Sequence, residues 1–147
     1  MSAVPRNEQP VLLREERDGI ATLTMNRPEQ MNLLTGEMLH ALQDALDDIA
    51  RNPALRVVVL AGAGKGFCAG HDLKEIRDLA QLPAIEALFA QCSRMMQSIA
   101  MLPQPVIARV HGAAAAAGCQ LVAQCDLAVA SEVANFAQPS VMPPTTM

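Results

Sequence analysis

The period of the apolar positions changes several times along this 147-residue chain, and each change marks an element. Val11 to Glu15 and Ile20 to Met25 read as two strands, separated by Arg17-Asp18-Gly19, whose Asp-Gly step is hairpin-turn chemistry. Asn26-Arg27-Pro28 ends the second strand and opens a loop. Beyond Thr35, a helix cap with Glu37 in the first turn, Met38, Leu39, Leu42, Ala45, Leu46 and Ile49 fall on one face and predict an amphipathic helix. Asn52-Pro53 stops it. Val57 to Leu60 is a continuous apolar run, the mark of a strand covered on both faces. A glycine-rich loop, Gly62 to Gly70, leads to a short helix from about Asp72 to Ala80, which Leu82-Pro83 breaks. Ile85, Leu88, Phe89, Cys92, Met95, Met96 and Ile99 then mark a longer helix, ended by Pro103 and Pro105. Leu127 to Ala130 is expected to be the final strand. Alternation of this kind predicts an α/β protein with βα units around a largely parallel sheet.

The segment from Val106 to Asp126 carries the most chemistry. A β-branched run reaches Gly112, five alanines follow from Ala113 to Ala117, and a helical pattern begins at Gly118. The pattern predicts a strand, a small-residue turn and a helix whose N-terminus is bare of side chains, open to negative charge. Gly66 to Glu75 repeats the plan of strand, small-residue loop and helix start. Side by side, the two could aim two backbone N–H groups at one oxygen. That is an oxyanion hole, in which one donor typically lowers a barrier by about 2.7–4 kcal/mol.

Composition narrows the alternatives. Hydrophobic residues make up 51% of the chain, yet the only aromatic ones are three Phe, so the core must be aliphatic. A net charge of -4 without a Lys/Arg cluster argues against a nucleic-acid or acidic-membrane partner. The first twenty residues hold no apolar run of signal-peptide length. The apolar stretch Val106 to Ala123 is interrupted by Arg109, His111 and Gln120, so no membrane span is expected, and the chain reads as cytoplasmic. Cys68, Cys92, Cys119 and Cys125 show no metal-site spacing and are expected to be buried small hydrophobes. With three scattered His residues, no metal site is expected.

Several residues have a bland reading that outweighs a sharper one. His71 is expected to offer its backbone N–H rather than its imidazole, and Asp72 to cap a helix. His111 and Asp126 read as structural, His40 as solvent-facing. Ala61 to Gly66 fits neither nucleotide-binding glycine pattern, because Gly66 stands where a Ser or Thr is required. A serine peptidase of ClpP-like fold would need a nucleophile that Ala113 to Ala117 does not supply.

Met25-Asn26-Arg27-Pro28 with Met31-Asn32-Leu33-Leu34, Phe67 to Glu75, Gly112 to Asp126 and Phe136-Ala137-Gln138-Pro139 occur in an order and at separations that resemble the crotonase, or enoyl-CoA hydratase/isomerase, superfamily. The resemblance covers about residues 11–139. It implies a crotonase/ClpP-like spiral of ββα units and a coenzyme A thioester as substrate, with no further cofactor. By position, the oxyanion donors would be the backbone N–H groups of His71 and Ala117. Lys65 and Lys74 would meet the phosphates and adenosine end, and Ala69, Gly70, Asp72 and Gly118 would line the substrate.

The departures carry equal weight. Hydratases of the superfamily use two carboxylates, one as base and one as acid, and here those positions hold Gln120 and Ser140. An amide does not exchange a proton near neutral pH, and an unactivated hydroxyl is a poor acid or base. Full members also continue through more of the core and a helical part that forms trimers and closes the acyl pocket. The expected organisation is therefore a flexible N-terminus (1–10), an N-terminal part of a crotonase-like core (11–138), and an irregular tail (139–147) on a truncated chain. The expected function is acyl-CoA binding with enolate stabilisation, in a homo-oligomer if the relatives' assembly holds. The alternative is a non-catalytic interaction subunit.

Overall fold

β1 (Leu12–Arg17) and β2 (Ile20–Met25) form the hairpin that the Asp-Gly step predicts. Asp18 and Gly19 both take positive φ, 53° and 79°, the conformation that matches the twist of an antiparallel pair. The structure, a computed structural model, describes residues 9–138. Most of the N-terminal segment (1–10) and the tail (139–147) lie outside these residues, as does Ser140. Gln9 and Pro10 are described, and their carbonyls accept hydrogen bonds from the Arg27 guanidinium at 2.8 and 3.2 Å.

α1 (Gly36–Ala50) crosses from β2 to β3 (Val57–Gly62). The Thr35 hydroxyl accepts the Met38 N–H at 3.1 Å, and Met38, Leu39, Leu42, Leu46 and Ile49 are buried on the expected face. The far end of α1 is closed by a residue from elsewhere. Gln104 is buried and donates its Nε2 to the carbonyls of Ile49 (2.8 Å), Leu55 (3.2 Å) and Asn52 (3.3 Å), groups that a helix end otherwise leaves unsatisfied.

α2 (Leu73–Leu79), α3 (Leu82–Met101), β4 (Val106–Val110), β5 (Ala113–Ala115), α4 (Ala117–Gln124), β6 (Leu127–Ala130) and β7 (Asn135–Ala137) complete the order. The larger sheet runs β1-β2-β3-β4-β6, parallel except for the hairpin. The smaller pairs β5 with β7, also in parallel, and Cys68 joins it through a parallel bridge to Ala114. The chain thus winds repeatedly from the large sheet, through an extended segment in the small sheet, into a helix. This is the ββα spiral of a crotonase fold, where each winding places a small-sheet segment beside the previous one.

Three local expectations need correction. Ala113 to Ala115 is a strand rather than a turn. Alanine carries no β signal of its own, and the pairing comes from Cys68 on one side and β7 on the other. Leu127 to Ala130 is not the last strand, because β7 follows within a few residues. Leu82-Pro83 does not merely break a helix: α2 ends at Ala80 in the left-handed region, and Pro83 sits in the first turn of α3. There its missing N–H leaves no hydrogen bond unmade.

The core lies between the large sheet and the helices, with Leu23, Met25, Leu39, Leu42, Ile49, Leu60, Phe67, Met95, Ile99 and Leu121 fully buried. Cys68 and Cys92 belong to it as expected, whereas Cys119 and Cys125 are only partly buried. β6 differs: all four of its residues are exposed, with Leu127 at 63% and Val129 at 62%. Among the described residues no helix is long and apolar enough to cross a membrane.

Candidate functional site

Two backbone segments meet where the small sheet begins. The Phe67 and Cys68 N–H groups donate to the Ala113 carbonyl at 2.9 and 3.2 Å, and the Ala115 N–H donates to the Cys68 carbonyl at 2.9 Å. On its other side the same loop is held by residues 31–34. Ala69 donates to the Met31 carbonyl at 3.0 Å, and Leu34 donates to the Gly70 carbonyl at 2.8 Å. The strand-to-helix loop Gly66–Gly70 is therefore clamped along both edges.

Asn32 locks the clamp. It is completely buried, in the left-handed region with φ 53°. Its Oδ1 accepts the Arg27 N–H at 2.9 Å, and its Nδ2 is shared among the carbonyls of Ala63, Phe67 and Gly66 at 3.0, 3.1 and 3.2 Å. Sequence reasoning missed this residue as a site element. An Asn a few residues after Arg-Pro, free to take positive φ, was the available cue.

The approach is close enough to exclude side chains. A Cβ on Gly70, which has φ 98°, would stand 3.3 Å from the Ala117 nitrogen and 3.2 Å from the Ala115 carbonyl oxygen. A Cβ on Gly118 would stand 2.1 Å from the Cys68 carbonyl oxygen. Gly70, His71, Ala117 and Gly118, with Ala69 just before them, are thus brought together. Among the described residues neither the His71 nor the Ala117 backbone N–H has an acceptor. Ala116, the residue before α4, holds φ 54° and ψ -122°, a region that strains any residue with a Cβ. It is fixed there by donating to the Ala137 carbonyl at 2.7 Å and by accepting from Cys119 and Gln120 at 3.0 and 3.1 Å.

The remaining candidates spread outward from this point. Asp72 caps α2, its Oδ1 accepting the Lys74 and Glu75 N–H groups at 3.0 and 3.4 Å. Lys74 is exposed on the first turn of that helix. The Glu75 carboxylate reaches across to the Gly36 N–H at 3.1 and 3.3 Å and ties α2 to the start of α1, a link the sequence did not suggest. Lys65 lies apart, on an open cleft of about 560 Å³ lined also by Arg27, Pro28, Glu29, Met31 and Gly64. Gln120 is exposed one turn into α4. His111 contacts the Gly64 carbonyl, and Asp126 accepts the Val106 N–H at 2.8 Å, both structural roles as expected. His40 pairs with Asp44 on the exposed flank of α1.

The His71 ring stands edge-on to Phe89 of α3, with centroids 4.9 Å apart. Its Nδ1 is buried without a hydrogen-bond partner among the described residues. Burial holds the imidazole below its ordinary pKa, while the backbone at Leu34 and the Glu75 carboxylate pull weakly the other way. The ring is therefore neutral near pH 7, and the stability gained from keeping it so is lost as pH falls through the ordinary histidine range and below. Three of the thiols are poor nucleophiles here. Burial pushes Cys68 and Cys125 up to about 12 and raises Cys92, which keeps all three protonated.

A spiral of ββα windings, in which the loop before α2 packs against the start of α4, defines an α/β protein of the crotonase fold. The chain belongs to the enoyl-CoA hydratase/isomerase family, whose profile of that description matches residues 15–142. Enoyl-CoA hydratase domain-containing protein 3, mitochondrial, of Danio rerio is 43% identical over 129 residues, covering 88% of this chain and 45% of its own length. Among solved structures, an enoyl-CoA hydratase of Mycobacterium smegmatis superposes with a TM-score of 0.86 at 54% identity, over 88% of this chain and 51% of that one. Human enoyl-CoA hydratase domain-containing protein 3 superposes with a TM-score of 0.83 at 41% identity, over 90% and 52%. The chain spans about half the length of the relatives it matches.

The cytoplasmic expectation does not stand. The relatives from Danio rerio, Xenopus laevis and Homo sapiens are all named as mitochondrial proteins. The expectation rested on the lack of an apolar signal run, which argues against secretion only; mitochondrial leaders are Arg-rich and amphipathic instead.

The close approach makes opposite predictions for adjacent residues. Ala116→Gly removes a strain of about 1–3 kcal/mol against about 0.4–1 kcal/mol of added unfolded-state entropy, and is expected to raise stability. Gly118→Ala gains about 1 kcal/mol of helix propensity, but the clash with the Cys68 carbonyl demands a backbone shift costing about 1–3 kcal/mol or more. It is expected to lower stability on balance. Urea unfolding of both variants, read as midpoint shifts of opposite sign, checks this.

Proposed function

We propose that this chain binds acyl-CoA thioesters and stabilises their enolates, with the thioester oxygen between the backbone N–H groups of His71 and Ala117. What supports this reading is one observation: the loop before α2 packs against the start of α4, a Gly70 Cβ standing 3.3 Å from the Ala117 nitrogen, and the His71 and Ala117 N–H groups have no acceptor among the described residues. The Ala117 donor opens α4, so the helix dipole adds to the field on a developing oxyanion. Donors fixed before the ligand arrives need little reorganisation as charge develops. Ala69, Gly70 and Gly118 supply a floor without side-chain bulk, and Asp72 keeps the turn carrying His71 in place. The Lys65 cleft, with Arg27 on its wall, and Lys74 on α2 suit the phosphates of coenzyme A.

In this reading the two hydratase carboxylates are absent, replaced by Gln120 and Ser140. Addition of water across a double bond is then unsupported, and the chemistry stops at the enolate. A trimer-type homo-oligomer is the assembly this reading favours for a complete site. Calorimetry with short and medium acyl-CoA thioesters is expected to show binding, and no binding overturns the reading. Gln120→Glu restores a carboxylate one turn inside α4 and is expected to add proton-transfer activity at the bound thioester, measurable as deuterium uptake by butyryl-CoA in D2O.

A second reading, a non-catalytic subunit that acts by association, is favoured by the exposed apolar surface of β6 and its neighbours: Leu127, Val129, Val133 and Phe136. An edge strand with exposed apolar side chains of this kind favours pairing with another polypeptide. Size-exclusion chromatography with light scattering is expected to show self-association or a partner complex on this reading. A monodisperse monomer that binds acyl-CoA counts against it.

A further inference from the structure

We propose that the outer face of the large sheet, the side turned away from the core, is a two-fold interface with a second copy of this chain. The inference rests on the reading of a subunit that acts by association, and it names the surface and the partner. The thioester site takes no part in it.

Alternate residues of the strands define this face. Leu23, Val58, Leu60, Val106 and Ala108 point into the core. Their neighbours Thr22, Val57, Val59 and Ile107 point the other way and are only partly buried. Glu15, Thr22, Val59, Ile107 and Leu127 are successive register partners from β1 across to β6. Beside this row Ile20 pairs with Val57 and Arg109 with Val129, and Ile20, Leu127 and Val129 are exposed. The apolar run Val57 to Leu60 predicts a strand covered on both faces, as parallel strands normally are. The structure buries one of those faces in the core and leaves the other, with its aliphatic side chains, turned outward.

The charges on this face select the partner. Its strands carry three: Glu15 and Arg17 on β1, and Arg109 on β4. Arg17 pairs with Asp18 at 3.7 Å. Glu15 and Arg109 have no ion-pair partner among the described residues. They are opposite in sign, and they stand three strands apart in the sheet order. At about 4.8 Å per strand that is about 14 Å, too far for them to pair within one chain.

A two-fold axis over β2 and β3 pairs them between copies. In such a contact residue i meets residue j of the partner and j meets i, so Glu15 faces Arg109 at one side and Arg109 faces Glu15 at the other. A cleft of about 220 Å³ lined by Glu15, Arg17, Asp18, Ile20 and Thr22 gives the incoming guanidinium a recess with two carboxylates on its wall. Between the two ion pairs lie Ile20, Thr22, Val57 and Val59. Their burial supplies the drive, and the charges set orientation and exclude other registers.

The test is sedimentation velocity of the full chain over a concentration series, with E15R, R109E and the double variant E15R/R109E. The wild type is expected to self-associate in pairs. Each single variant sets like charges against each other at both crossings and is expected to weaken the pairing by about tenfold or more. Its circular dichroism spectrum is expected to match the wild type, because both positions are exposed. The double variant restores opposite charges across the axis and is expected to recover the wild-type Kd, a rescue that no effect within one chain produces. A wild type that stays monomeric at every concentration overturns the inference and the association reading together. Self-association that the single variants leave unchanged, or that the double variant does not recover, overturns this face while the association reading stands.

Discussion

The rest of the structure depends on a pairing of backbone with backbone: Gly66–Gly70 lying against Ala113–Ala115 at a separation that no side chain could share. Three hydrogen bonds join the two segments. At a net value of about 1 kcal/mol each, they do not explain why the arrangement is unique. Steric exclusion does. Gly118 packs its Cα against the Cys68 carbonyl and Gly70 packs against the Ala117 nitrogen, so the loop and the start of α4 must arrive together. The run of five alanines follows from this constraint, as residues small enough to pass through the crossing yet less floppy than glycine.

The crossing is strained, and its surroundings hold the strain in place. Ala116, Met31 and Asn32 all take positive φ, each at a cost that persists only where neighbours over-determine the backbone. Asn32 supplies part of that determination through four polar contacts from a fully buried side chain, and β7 supplies more through the Ala137 carbonyl. Rigid elements feed the crossing from every side: α1 capped by Thr35 and Gln104, α2 tied to α1 by Glu75, and β4 pinned to the entrance of β6 by Asp126. A pair of N–H groups held this firmly suits an oxyanion better than a flexible loop would, since preorganisation is where such donors get their effect.

The opposite end of the sheet is organised differently. The hydrophobic core is complete under β2, β3 and β4, while β6 keeps its ladder to β4 yet buries none of its four residues. The solved relatives superpose on this chain over only about half of their own length. The described residues therefore place the loop-helix crossing against a formed core, with the β6 and β7 side left open.

By itself the sequence determined the elements whose signals are local. The Asp18-Gly19 hairpin, the Thr35 cap, the buried stripes of α1 and α3 and the apolar run of β3 follow from turn chemistry and side-chain period. The two small-residue segments marked the places where strand passes into helix, and the capping role of Asp72 was legible from its place before a helix. Tertiary structure alone decided the rest. β5 has only alanines and β7 only three residues, so neither carries a period, and each exists because another strand pairs with it. Asn32 became part of the site through carbonyls 31 to 35 residues away, and the His71 ring found its edge-on neighbour in a phenylalanine on another helix. Local pattern reports what a segment buries, whereas a site made of backbone groups depends on which segment lies against which, and that is settled only when distant parts of the chain pack together.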